Sequence, residues 1–191
     1  MLLRRCTVCL TFVFALPAMA DDLQLPDLMR TLSHNQQQEA TFVEKRYLSV
    51  LDKPLESSGE LYFIPPNRLE KRTLKPKPET LIVDGDVLIV DQSNRHRFTV
   101  SLQERPDISA FVESIRGTLA GDQSALEKFY SIELSGSADR WRLSLVPLRQ
   151  EMMRIISRIQ IAGSQADLTT IEFDFADGDR SEMLVAKARS R

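Results

Sequence analysis

The sequence predicts a mainly β (α+β) fold built on one antiparallel sheet, and three observations carry that reading. The first is a hairpin: the apolar segments Thr80 to Val83 and Asp86 to Val90 are joined by Asp84 and Gly85, and an Asp-Gly pair accepts the positive φ angles of a tight turn. The second is alternation. Trp141, Leu143 and Leu145 interleave with Arg140, Arg142 and Ser144, and Ile171, Phe173 and Phe175 with Thr170, Glu172 and Asp174, the period-two pattern of half-buried strands. The third is a change of period in mid-chain. Ile108, Phe111, Val112, Ile115 and Leu119 recur at intervals of three and four and predict an amphipathic helix from Asp107 to about Ala120, ended by Gly121.

The chain has 191 residues, enough for one domain with a sizeable core. Arg4 and Arg5, the apolar run Cys6 to Leu16, Pro17 and the small-residue site Ala18-Met19-Ala20 have the layout of a secretory signal peptide. Residues 1–20 are therefore expected to be removed after Ala20, leaving residues 21–191 as an exported domain. No later stretch approaches the roughly 20 apolar residues that span a bilayer as a helix. Both cysteines, Cys6 and Cys9, fall in the segment to be lost, so the mature chain offers no disulfide, no thiol nucleophile and no thiolate metal site. Taking Arg4 and Arg5 from the 25 basic residues leaves 23 against 27 acidic ones, a formal charge of −4. That balance argues against nucleic acid as a partner.

Along the mature chain, Leu25, Leu28, Met29 and Leu32 predict a short amphipathic helix from Leu25 to about His34, with Pro26 in its first turn. Thr41 to Leu51 is β-rich, but Glu44, Lys45 and Arg46 break its alternation, which suggests a strand near an edge. Gly59 to Ile64 and Arg68 to Leu74 read as strands separated by Pro65-Pro66-Asn67, and Pro76 and Pro78 end the second. In the central hairpin, a two-residue loop sets Val83 opposite Asp86 and Leu81 opposite Leu88. Leu81, Val83, Leu88 and Val90 then share one face, with Ile82, Val87 and Ile89 on the other. Both faces being apolar, the hairpin is expected inside a covered sheet or along an apolar cavity.

Arg95 to Leu102 is a further expected strand, and Ser124 to Phe129 adds a turn or two of helix. Gly136 to Asp139 forms the turn before the Trp141 strand, and Ile155, Ile159 and Ile161 belong to the strand after it. At the Asp177-Gly178 loop, a five-residue connection from Ala176 to Arg180 sets Phe173 opposite Met183 and Ile171 opposite Val185, the pairing burial favours. About ten strands result. A curved sheet that is apolar on its concave side needs a cover, and the helix carrying Phe111, Val112, Ile115 and Leu119 is the long helix available.

Chemistry is conspicuous by its absence. His34 and His96 have no second histidine at ligand spacing, so no metal is expected. Asp84, Asp86 and Asp91 read as turn and strand-end residues rather than paired acids, and no phosphate loop or nucleophile elbow occurs. No enzyme activity and no cofactor are expected. The cluster Arg68, Lys71, Arg72, Lys75 and Lys77 suits anionic headgroups, but interleaved Glu70 and Thr73 also suit a solvated strand face.

Ala40-Thr41-Phe42, Gly59-Glu60-Leu61-Tyr62, Pro66-Asn67, Pro78-Glu79-Thr80-Leu81 and Val83-Asp84-Gly85 resemble, in order and spacing, the periplasmic outer-membrane lipoprotein carrier family (LolA-like), as a divergent member. The resemblance covers nearly all of the mature chain. It implies a single strongly curved antiparallel sheet forming an unclosed β-barrel with a helical lid and acyl chains between them. Leu69 stands where the carrier has an aromatic at the cavity mouth, and Leu81 matches an apolar cavity position. Pro65 stands where the carrier has the arginine that latches the lid, and the carrier's C-terminal extension has no counterpart here.

The resemblance, joined to the alternation, gives an expected apolar wall of Leu69, Leu81, Val83, Leu88, Trp141, Phe173 and Phe175, and an expected lid face of Phe111, Val112, Ile115 and Leu119. It implies a monomeric periplasmic carrier of an acylated lipoprotein or lipid, which meets an inner-membrane donor complex, an outer-membrane acceptor and, transiently, the membrane surface. The departures fit a relative serving a dedicated lipid or aryl-polyene pathway. The alternative is a lipid- or lipoprotein-sensing regulatory or scaffold module of the same fold, and fold alone does not choose between them.

Overall fold

The computed structural model describes residues 23–34, 38–92 and 96–188. The expected signal peptide lies outside them. Helix α1 (Leu25–Ser33) precedes strands β1 (Gln38–Tyr47), β2 (Leu55–Ile64), β3 (Arg68–Lys75), β4 (Glu79–Asp84), β5 (Val87–Gln92) and β6 (His96–Ser101). Helices α2 (Pro106–Ala120) and α3 (Gln123–Glu127) follow, and then β7 (Tyr130–Ser137), β8 (Arg140–Pro147), helix α4 (Gln150–Met153), β9 (Ile156–Ser164), β10 (Asp167–Phe175) and β11 (Arg180–Lys187). The strands form one antiparallel sheet in the order β6-β5-β4-β3-β2-β1-β11-β10-β9-β8-β7. β6 and β7 stand at its two ends without pairing, so the barrel is open, as expected.

β1 is a correction. It lies at the middle of the sheet, between β2 and β11, not near an edge. The charges that blurred its alternation are divided between two faces. Phe42 and Glu44 are buried on the concave side while Val43 and Lys45 point out, and Glu44 is tolerated there because it has partners, described below.

The central hairpin also differs in detail. Val83 pairs with Leu88 and Asp84 with Val87, so the turn is Gly85-Asp86 and the register is shifted by two from the expected one. Gly85 takes the left-handed conformation, at φ 57°, while Asp84 stays in the strand and accepts a 2.8 Å bond from Arg68. A shift of two leaves side chains on their faces. The β10–β11 pairing is displaced in the same way. Ile171 faces Met183 and Phe173 faces Ser181, because Phe175 bonds back to the Asp179 carbonyl and the loop closes more tightly than expected. Ile155 sits just before β9 and is exposed; Ile156 takes the buried place. β7 and α4 were not foreseen, which brings the strands to eleven.

The helices load one half of the sheet. Leu28, Met29 and Leu32 of α1, Ala110 of α2 and Leu126 of α3 join Tyr130, Leu143, Leu145, Ile159 and Ile161 in one buried cluster. Tyr130 adds a polar tie, its hydroxyl donating to the Ala110 carbonyl at 2.8 Å. Gly121 ends α2 at φ 64°, and a β-carbon there would stand 2.1 Å from the Met29 carbonyl oxygen, so the close approach of α1 and α2 depends on it. α2 also reaches over the other half, where residues of β1 to β5, β10 and β11 border open space.

Candidate functional site

Between α2 and that half of the sheet lies a cavity of about 1860 Å³, larger than the ~300–1,000 Å³ usual for small-molecule pockets. Its wall is the inward-facing set of β2 to β5, β10 and β11, with part of β1. Leu61 of β2, Leu69 of β3, Leu81 and Val83 of β4, Leu88 of β5, Ile171, Phe173 and Phe175 of β10, and Met183 and Val185 of β11 all line it. Phe111, Val112, Ile115 and Leu119 of α2 line the opposite side.

Six of the seven residues expected in the wall therefore border the cavity, as do all four expected on the lid. Trp141 does not, which corrects that expectation. It is 1% exposed in the closed half, its indole N–H donating to the Gln165 carbonyl at 2.9 Å, and its ring lies over Gly163, where a β-carbon would come within 2.3 Å. The alternation that singled out Trp141 marks the concave face but not which half of it the helices fill.

Apolar contacts hold the lid to the wall. Phe111 stacks on Phe173 with ring centroids 4.5 Å apart, an arrangement that adds to simple burial. Val112 packs with Val83 and Leu102, flanked by Leu69, Leu88 and Ile108. Leu69, Leu81, Leu88, Phe175, Phe111 and Ile115 remain only half-buried, so apolar surface stays open to the cavity between these contacts. Pro65, in place of the family's arginine, lies exposed in the β2–β3 turn. An arginine nevertheless ties the lid. Arg116 of α2 donates to the Gly85 carbonyl in the β4–β5 turn at 2.8 Å and is held by Glu113 one turn earlier.

Sequence reasoning missed the polar element of the wall. Glu44, 9% exposed, accepts from Lys71 Nζ at 2.5 Å, Ser57 Oγ at 3.3 Å and Ser181 Oγ at 2.7 Å. Burial pushes its carboxyl up, but the Lys71 charge, the bonds from Lys71 and Ser181 and the nearby Arg46 outweigh that and hold it below the ordinary carboxylate value. Lys71 also lies 4.9 Å over the Phe42 ring. The basic cluster is thereby resolved: Arg68 pairs with Glu70 and Asp84, Lys71 with Glu44, and Arg72 with Glu70, while Lys75 and Lys77 have no ion-pair partner among the described residues. The signal for Glu44 was its place two residues from Phe42, on the same strand face.

Among the described residues no group of three His, Cys, Asp or Glu side chains could hold a metal, and no helix is long and apolar enough to cross a membrane. The chain is thus an open half-barrel with a helix across a large, mainly apolar cavity. The family model for outer membrane lipoprotein carrier protein LolA-like proteins matches residues 17–191, and the chain belongs to that family. No curated protein matches it.

Solved structures with a similar arrangement include a LolA superfamily protein from Nitrosomonas europaea, at 10% identity and a TM-score of 0.46, covering 88% of this chain and 95% of that one. A chain in the complex of Pseudomonas aeruginosa MucA and MucB gives 14% identity and 0.47, over 87% of this chain and 58% of that one. LprF from Mycobacterium bovis gives 11% and 0.38, over 87% and 92%.

Proposed function

We propose that this protein is a periplasmic carrier that takes the acyl chains of a lipoprotein or lipid into the cavity under α2 and shuttles them from the inner to the outer membrane. The observation that carries the reading is the large, lidded cavity whose half-buried leucines and phenylalanines face one another across open space. Membership of the family supports it. An acyl chain leaves a bilayer only for a site of similar apolarity, since each buried methylene is worth about 0.8 kcal/mol against water. A carrier works by matching the membrane rather than exceeding it, with the lid gating transfer. Leu69, Leu81, Val83, Leu88, Phe173 and Phe175 form the wall of that site, and Phe111, Val112, Ile115 and Leu119 the moving face. The partners of this reading are an inner-membrane donor and an outer-membrane acceptor; the reading assigns no catalytic step.

Mass spectrometry of the intact protein, produced with export to the periplasm and purified gently, tests it. The expected result is stoichiometric acylated cargo. A lipoprotein would mark the general carrier role, and a free lipid, polyene or glycolipid a dedicated pathway. An empty cavity, with co-purification of a signalling membrane protein, would replace the carrier by the sensor or scaffold module. In the same preparation, Arg116→Ala should release a fluorescent fatty acid roughly tenfold to a hundredfold faster than the parent, the effect expected when one charged hydrogen bond holding the lid is lost. An unchanged release rate in stopped-flow measurements would remove Arg116 from the gating role.

A further inference from the structure

We propose that the end of the sheet bearing the β1–β2 and β8–β9 connections docks on an anionic lipid bilayer, an inference that rests on the carrier reading. Exposed large apolar side chains gather at this end. Val50 is 85% exposed and Leu55 51% in the β1–β2 connection, with Leu51 beside them, while Leu148 at 52%, Met153 and Ile155 stand around α4. At the opposite end, among the described residues, the exposed large apolar side chains are Ile64 and Val87, at 40% and 37%.

The two connections are held together through the β10–β11 turn. The Ser49 N–H donates to Asp179 Oδ1 at 2.8 Å, and the Ala176 N–H to the Ile155 carbonyl at 3.0 Å, so their apolar side chains belong to one rim. Burying none of this surface is unfavourable in water, and its grouping at one end marks a contact surface.

Charge and position choose the occupant. Lys53, Lys77, Arg149 and Arg154 are exposed there without an ion-pair partner among the described residues. Asp52, Glu151, Asp177 and Asp179 lie in the same connections, and Asp177 and Asp179 accept backbone N–H groups from Asp179 and Ser49, so the rim carries both signs of charge with its cations free to meet lipid phosphates. Apolar side chains interleaved with cations are what an anionic lipid surface binds. Leu55 is at once exposed on the rim and part of the cavity lining, as are its neighbours Arg46 and Glu56 and, across the mouth, Pro76. A bilayer touching this rim therefore meets the cavity opening, and an acyl chain can pass between them without crossing water.

The test is flotation of the full chain with vesicles of phosphatidylglycerol and phosphatidylethanolamine, compared with phosphatidylcholine alone. The parent should float with the anionic vesicles and lose that binding in high salt. Val50→Asp combined with Leu51→Asp should lower partitioning at least about tenfold. Neither residue lines the cavity, so fluorescent fatty-acid binding and circular dichroism should stay at parental values. A parent that binds the fatty acid yet does not float, or a variant that floats as well as the parent, overturns the docking surface alone, as does a protein partner captured at this rim in its place. A parent that fails to bind the fatty acid overturns the carrier reading itself.

Discussion

Leu81→Arg should abolish acyl-chain binding, with at least about a hundredfold loss of affinity for a fluorescent fatty acid, while the protein stays folded. Leu81 is half-buried, lines the cavity, and lies between Lys71 of β3 and Val90 of β5 in the sheet. An arginine at this position would project a guanidinium into the space an acyl chain must fill, and desolvating a charge against hydrocarbon costs several kcal/mol. It would also stand next to the Lys71 ammonium, which adds like-charge repulsion. The fold should survive because the cavity admits water when empty, so the new charge is not forced into a dry core.

Leu143→Arg is the matching control. Leu143 is 0% exposed in the helix-covered half, where the same change should unfold the chain. Circular dichroism and probe titration of both variants decide the matter. A folded L81R variant that binds like the parent would mean that the cavity is not the acyl site, and an unfolded one would make Leu81 an ordinary core residue.

The contrast between those two leucines also shows what the sequence could and could not reveal. Both lie on β-rich segments; apolar-polar alternation identifies the buried face for Leu143 and Phe173, while in the hairpin, apolar on both sides, period two only groups Leu81 with Val83 and the family resemblance assigns that group to the cavity. What separates them is which part of the sheet the helices cover, a tertiary fact with no local signature. Trp141 shares that concave face but lies under the helices, away from the cavity.

The expected register is wrong by two residues at both hairpins, because a shift of two preserves every face and so is invisible to burial patterning. It was decided by the left-handed Gly85 and by the Phe175–Asp179 bond. The helical insertion was legible down to its terminal glycine, since a 15-residue amphipathic segment carries its period internally. Glu44 shows the limit from the other side. A charged residue in a strand reads as solvated unless its partners are known, and Lys71 and Ser181 come from positions 27 and 137 residues away.

That buried pair gives the last expectation. Lys71→Met should destabilise the protein by about 2 kcal/mol at neutral pH. This is less than the ~3–5 kcal/mol typical when one partner of a fully buried pair is removed, because the Lys71 side chain keeps 26% of its exposure. The cost comes from Glu44, left charged on an apolar wall with two serine hydroxyls and no cation in contact, Arg46 acting only from further off. Replacing both partners, as Lys71→Met with Glu44→Gln, should recover most of the loss, since no unpaired charge then remains.

The pH dependence follows from the direction of the Glu44 shift. Its carboxyl is held below its unfolded value, so its stabilising contribution is fully present above that value, about 4.3 for a glutamate, and is lost as the pH falls through the folded one. In the K71M variant the two largest lowering influences, the charge and the bond of Lys71, are gone, and burial then opposes only the Ser181 bond and the more distant Arg46. Protonation then relieves the unpaired charge, and the gap between variant and parent should narrow from pH 7 towards pH 4. Urea unfolding of parent, single and double variants at both pH values measures it. A gap that does not change with pH would assign the lost stability to Lys71's packing over Phe42 rather than to the charge of Glu44.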